Sequence, residues 1–134
     1  MSASLSSLAR FTLTDTLVTF RHLPDITIIS PVFDTESNKI IFFTASRGHH
    51  ADIGGILPGS MPPTSTNIFE EGAHIVSFKI VREGVFDKEG LYDYMVTKPA
   101  QYPGSSGCRN IRDVESDLKA VCIPSALVLS QELT

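Results

Sequence analysis

Residues 26–46, ITIISPVFDTESNKIIFFTAS, decide how this chain folds. The run ITIISPVF (26–33) is rich in β-branched and aromatic residues, the composition of a buried strand, with Pro31 marking an edge or bulge. KIIFFTAS (39–46) is a second run of the same kind, and the polar DTESNK between them is turn material. Two such runs around a short polar turn predict an antiparallel hairpin. That pairing sets the residues entering the first strand beside those leaving the second.

The entering residues are HLPD (22–25) and the leaving residues are RGHHAD (47–52), so His22 and Asp25 are expected near His49, His50 and Asp52. Histidine and carboxylate bind divalent metals and move protons near neutral pH. The i, i+3 spacing of His22 and Asp25 around the rigid Pro24 lets both side chains converge. Two histidines and one carboxylate from adjacent chain ends make a three-ligand site with open positions for water or substrate. A purely structural reading uses the same residues: HLPD capping a turn, a solvated histidine pair, and Asp52 closing an Asx-turn. His74 reads as an exposed strand residue, Glu70 and Glu71 as a solvated acidic turn, and Cys108 as a bystander without a nearby base.

Working outward, 53–67 is rich in Gly, Pro, Ser and Thr and reads as an irregular loop. AHIVSFKIVR (73–82) alternates as a third strand would. Asp87 is placed to cap a helix over 88–97, with Glu89 in its first turn and Pro99 ending it. QYPGSSGCRN is a second glycine-rich loop, and Asp113 is placed to cap a helix through Val121, before Pro124. The fold class that follows is α+β: a small, mostly antiparallel sheet with one or two helices and long Gly-rich loops. Arg47 and Arg109 each follow small residues in such loops, where a guanidinium beside exposed backbone N–H groups suits a carboxylate or phosphate. An ordinary loop salt bridge is the alternative for either.

The 134 residues suffice for one core, and 42% hydrophobic with 19% charged residues is ordinary globular composition. A net charge of −4 without a basic run argues against nucleic-acid or anionic-membrane binding, and no apolar stretch reaches membrane-spanning length. Two cysteines, Cys108 and Cys122, make neither a disulfide framework nor a zinc ribbon, and free thiols fit a reducing cytosol. Residues 1–20 are Ser/Thr-rich with only Asp15 acidic, a composition that overlaps with transit peptides and lacks the plan of a secretory signal.

HLPDITIISPVFD, IIFFTASRGHHADIGGILPGSMPP, EEGAHIVSFKIVREGVFD and YPGSSGCRNIRDVESDLKA resemble, in that order, the hydantoinase B/oxoprolinase family, closest to the C-terminal half of the eukaryotic ATP-hydrolysing 5-oxoprolinases. The resemblance covers residues 22–120. It implies three parts: a poorly defined segment at 1–21, a partial family domain at 22–120, and an atypical tail at 121–134. It implies cyclic amide hydrolysis, 5-oxo-L-proline to L-glutamate in glutathione turnover in the cytosol. ATP would be used by a half of the parent enzyme that this chain lacks, and that half or subunit would be a partner, in an intact enzyme that is a homodimer. Related carboxylases hold a divalent metal (Mn, Zn or Mg here) with a His-x-x-Asp pair and a later histidine, positions matching His22, Asp25 and His49. Asp52 and His50 would then be catalytic, with Asp52 a base or a supporting partner, and Arg47 and Arg109 would contact the substrate. A hydantoinase-type cyclic amide hydrolase subunit and an inactive truncated remnant are the alternatives. The remnant draws on the departures from the family pattern at TFR (19–21) and VCIPSALVLSQELT (121–134).

Overall fold

The computed structural model describes residues 12–14, 23–34, 36–59 and 62–122. Three strands, β1 (Thr12–Thr14), β2 (Asp25–Phe33) and β3 (Ile40–His49), form an antiparallel sheet in the order β1-β2-β3. The β2–β3 hairpin closes through Asp34, whose carboxylate accepts from the backbone N–H groups of Glu36 and Ser37 and from the Ser37 hydroxyl. Those bonds hold the Asp34 carboxyl below its ordinary pKa, the Ser37 backbone bond contributing most.

The hairpin matches the expected one with one correction at its end. β3 continues three residues past Ser46, because Arg47, Gly48 and His49 lie opposite Thr27, Ile26 and Asp25 on the ladder. The register slips by one residue between Val32 and Phe33, a bulge that accommodates the chain just after Pro31.

The expected third strand over 73–82 is a strand only at β4 (Val81–Arg82), which pairs with β5 (Val85–Phe86). Upstream, Ala73, Ile75, Phe78 and Ile80 are buried, but the phase changes between Ile75 and Phe78 and Val76 is exposed, so burial does not follow one strand's alternation. Pairing there is limited to isolated bridge positions, at Phe78 and, just before the segment, between Gly72 and Gly54. A one-turn helix α1 (Ile68–Glu71) is capped by Asn67, whose side chain accepts from the Phe69 N–H. Glu70, expected in a solvated turn, instead accepts from Thr66 N–H and the Asn67 amide.

Asp87 caps α2 (Lys88–Tyr92) as expected, its carboxylate accepting from the Gly90 N–H. The helix widens into a π-turn over Asp93–Thr97, and Pro99 opens a short 3-10 turn. The last helix, α3 (Ile111–Cys122), starts two residues before the expected cap, and Asp113 sits in its first turn. Val114, Leu118 and Cys122 are buried, one stripe at i, i+4, i+8.

The core forms where that stripe meets the inward face of β2 (Ile26 and Ile28), Ile53, Ile75, Ile80, Leu91 and Met95. Each such side chain contributes on the order of 2 kcal/mol by leaving water. Gly54 runs through this core with φ +89, where a Cβ would stand 2.6 Å from the Cys108 nitrogen and 2.9 Å from the Met95 oxygen. Only glycine meets both conditions. The IGG segment thereby locks the loop after β3 onto the loop before α3.

Candidate functional site

The site is built where Leu23, Pro24 and Asp25 meet the end of β3. Leu23, Pro24 and Ile26 are buried, so the backbone around Asp25 is fixed by packing. The Pro24 carbonyl accepts from Ile26 N–H at 2.9 Å and from His50 N–H at 3.0 Å, tying the start of β2 to the end of β3. Asp25 and His49 are direct ladder partners, and partners on a ladder point to the same face. Their side chains meet, Asp25 Oδ1 to His49 Nδ1, at 2.7 Å. The pair is open to solvent, with His49 half exposed.

This pair is a carboxylate-oriented histidine, the arrangement that fixes a metal-ligating or proton-transferring imidazole. One nitrogen and one oxygen donor side by side suit a divalent cation such as Mn, Zn or Mg. Among the described residues no group of three His, Cys, Asp or Glu side chains is placed to hold a metal ion. His22, the third member of the expected set, lies outside the described residues.

One ladder step inward on that face, Thr27 faces Arg47, and the Arg47 Nε donates to Thr27 Oγ1 at 2.9 Å. Thr27 is buried, so the hydroxyl is a fixed anchor for the guanidinium. Anchoring through Nε holds the fork in a set direction on the face that carries Asp25 and His49. Thr27 carried no signal in the sequence, because the expected second strand ended at Ser46, one residue short of Arg47.

His50 leaves that row and turns inward, only 7% exposed. Its Nδ1 lies 3.8 Å from Asp117 Oδ2 on α3. Burial pushes its pKa below the ordinary 6.5, the His49 ring pushes the same way, and Asp117 opposes both. His49, His50, Arg47, Ser46 and Asp117 line a cavity of about 300 Å³ between the hairpin and α3, with Ile26, Ile28 and Leu118 among its apolar walls.

Asp52 and Arg109 sit apart from this row and face each other. Asp52 Oδ1 accepts from Gly54 N–H at 2.9 Å, and Asp52 Oδ2 accepts from Arg109 N–H at 3.0 Å. The Arg109 guanidinium lies 3.4 Å from the same carboxylate. Cys108 Sγ reaches the Asp52 carbonyl oxygen at 3.0 Å, so the thiol is part of the same loop clasp, and burial raises its pKa. His74 is half-buried rather than exposed, and its Nε2 is buried without a hydrogen-bond partner. No helix among the described residues is long and apolar enough to cross a membrane.

The sequence profile of the hydantoinase B/oxoprolinase family matches residues 11–130. The chain is 54% identical over 99 residues to 5-oxoprolinase of Saccharomyces cerevisiae, a match covering 74% of this chain and 8% of that protein. It is 54% identical over 106 residues to 5-oxoprolinase 1 of Arabidopsis thaliana, covering 74% of this chain and 8% of that one. The chain therefore spans about 8% of the length of these relatives. Among solved structures, nucleotide-free acetone carboxylase superposes with a TM-score of 0.54 at 24% identity, over 86% of this chain and 16% of that one, a likeness of fold. With the family profile matched over residues 11–130, nearly all its length, the chain belongs to the hydantoinase B/oxoprolinase family.

Proposed function

We propose that this chain supplies part of the hydrolytic site of an ATP-dependent cyclic amide hydrolase, one that opens 5-oxo-L-proline to L-glutamate in glutathione turnover in the cytosol. The observation that carries the reading is the Asp25–His49 pair at 2.7 Å beside the Thr27-anchored Arg47, in a chain whose relatives include several 5-oxoprolinases. ATP is bound and spent by another half or subunit of the enzyme, which phosphorylates the ring carbonyl oxygen. The intact enzyme is a homodimer.

The residues of this chain serve the second stage. Arg47 holds a carboxylate, as 5-oxo-L-proline carries one, and sets the ring over the His49 end of the face. Water adds to the activated carbonyl carbon and gives its proton to His50, which burial keeps neutral and able to accept it. The ring C–N bond then breaks and the departing nitrogen takes up a proton, leaving an acyl phosphate that a second water hydrolyses to L-glutamate and inorganic phosphate. Asp25 orients the His49 imidazole. Asp52 and Arg109 act by clasping the two loops that frame the site, since each already engages the other. A divalent metal held by His22, Asp25 and His49 would polarise the water or the carbonyl when bound.

The test places this chain's sequence in the matched 99-residue segment of the Saccharomyces cerevisiae enzyme and measures ATP-dependent glutamate release from 5-oxo-L-proline. The chimera is expected to turn over, and His49→Ala in it to lose most of that rate. Full turnover in the His49→Ala chimera would overturn the assignment of His49. A folded chimera that opens a hydantoin ring and leaves 5-oxo-L-proline intact would favour the hydantoinase-type reading.

A further inference from the structure

The strand β3 has the sequence of an interior strand and the position of an edge strand. Ile40, Ile41, Phe42 and Phe43 are consecutive; Ile41 is the extra residue of the bulge, and past it Phe42 and Phe43 lie opposite Val32 and Pro31 and point to opposite faces. An unbroken apolar run therefore marks a strand covered on both sides. Yet every residue of β3 is exposed, with Ile41 at 58% and Phe43 at 61%. In the order β1-β2-β3 it has a ladder partner on one side only among the described residues.

We propose that the outer edge and both faces of β3 are a docking surface for a further β-strand and its flanking layers, contributed by the longer polypeptide of a family member. The occupant must do two things: continue the ladder and cover two faces. A second copy of this chain, pairing β3 with β3, would extend the ladder and set aromatic residues beside their equivalents. It would bring no layer over either face, leaving Ile41 and Phe43 wet. The relatives match this chain over about 8% of their length, so most of each relative's polypeptide lies outside the match and is available to cover the strand. The inference rests on family membership and not on the reaction proposed above.

Hydrogen exchange tests it on two proteins: this chain alone at two concentrations, and the intact 5-oxoprolinase of Saccharomyces cerevisiae. In the intact enzyme the segment matching β3 is expected to exchange at least about a hundredfold more slowly at the outward-pointing amides than in this chain alone. Ile41→Asp with Phe43→Asp is expected to leave the melting temperature of the isolated chain unchanged while raising its solubility. Equally fast exchange of those amides in the intact enzyme would overturn the proposal. So would protection in the isolated chain that grows with concentration alongside a discrete dimer, because a second copy would then be the occupant.

Discussion

Asp25 and His49 are twenty-four residues apart in the chain and directly opposed on the β2–β3 ladder, with their side chains 2.7 Å apart. The hairpin makes the pair, and the pair makes the histidine useful, because an imidazole bonded at Nδ1 presents Nε2 in one orientation. Asp25→Asn keeps the size and removes the charge. Metal affinity in that variant is expected to fall by at least about 10–100-fold, the cost of losing a carboxylate that only orients a ligating histidine, and by more where Asp25 ligates directly. Thermal unfolding with and without Mn²⁺ or Zn²⁺ reads it, since a metal that binds the folded state raises the melting temperature. An undiminished metal-induced shift in Asp25→Asn would remove Asp25 from the site.

His50 carries the pH dependence. Its folded pKa lies below the ordinary 6.5, chiefly because burial disfavours the charged ring. The unfolded chain therefore takes up the proton first as pH falls. The contribution to stability is whole above about pH 6.5 and is lost as pH drops below that value, levelling off under the folded pKa. His50→Gln is expected to flatten the fall in melting temperature between roughly pH 7 and 5. An identical slope in wild type and variant would show that His50 is not the group responsible.

Much of this was legible in the sequence, and the failures have physical causes. The β2–β3 hairpin was readable because β-branched runs flank an Asp that can close its own turn. The last rungs of β3 were not, since Arg47, Gly48 and His49 have no strand pattern and are held there by partners Thr27, Ile26 and Asp25. The apolar residues of 73–80 are mostly buried, yet the phase shifts between Ile75 and Phe78 and no continuous strand forms, because side-chain burial does not require a neighbouring strand. The Asp52–Arg109 clasp joins positions 57 residues apart, beyond any local signal. His22 and the ends of the chain lie outside the described residues, so that part of the expected trio has no counterpart here.

Both thiols should be slow. Cys122 is buried against the core and its pKa is pushed up to about 11 by desolvation, and burial also raises that of Cys108. Only the thiolate reacts, so near pH 8 Cys122 should be alkylated roughly a hundredfold more slowly than an exposed thiol at its usual pKa. Iodoacetamide labelling of the native and urea-unfolded chain, read by mass spectrometry, checks this. Fast native labelling of Cys122 would mean that the end of α3 opens readily.

Gly54 and Gly59 separate two reasons for glycine. Both have positive φ, +89 and +98, so alanine is strained at either, by about 1 kcal/mol. They differ in surroundings: a Cβ on Gly59 meets nothing within 4 Å, whereas one on Gly54 meets the Cys108 nitrogen at 2.6 Å and the Gly107 carbonyl carbon at 2.8 Å. Those neighbours are backbone and cannot rotate away. Gly54→Ala should therefore lose a further ~1–3 kcal/mol by overpacking, visible as a much lower urea midpoint than in Gly59→Ala. Because Gly54 also donates to Asp52 Oδ1, the displaced backbone would loosen the Asp52–Arg109 clasp. Equal midpoints for the two variants would mean that the loops before α3 and after β3 are not in the close contact on which the framing of the site depends.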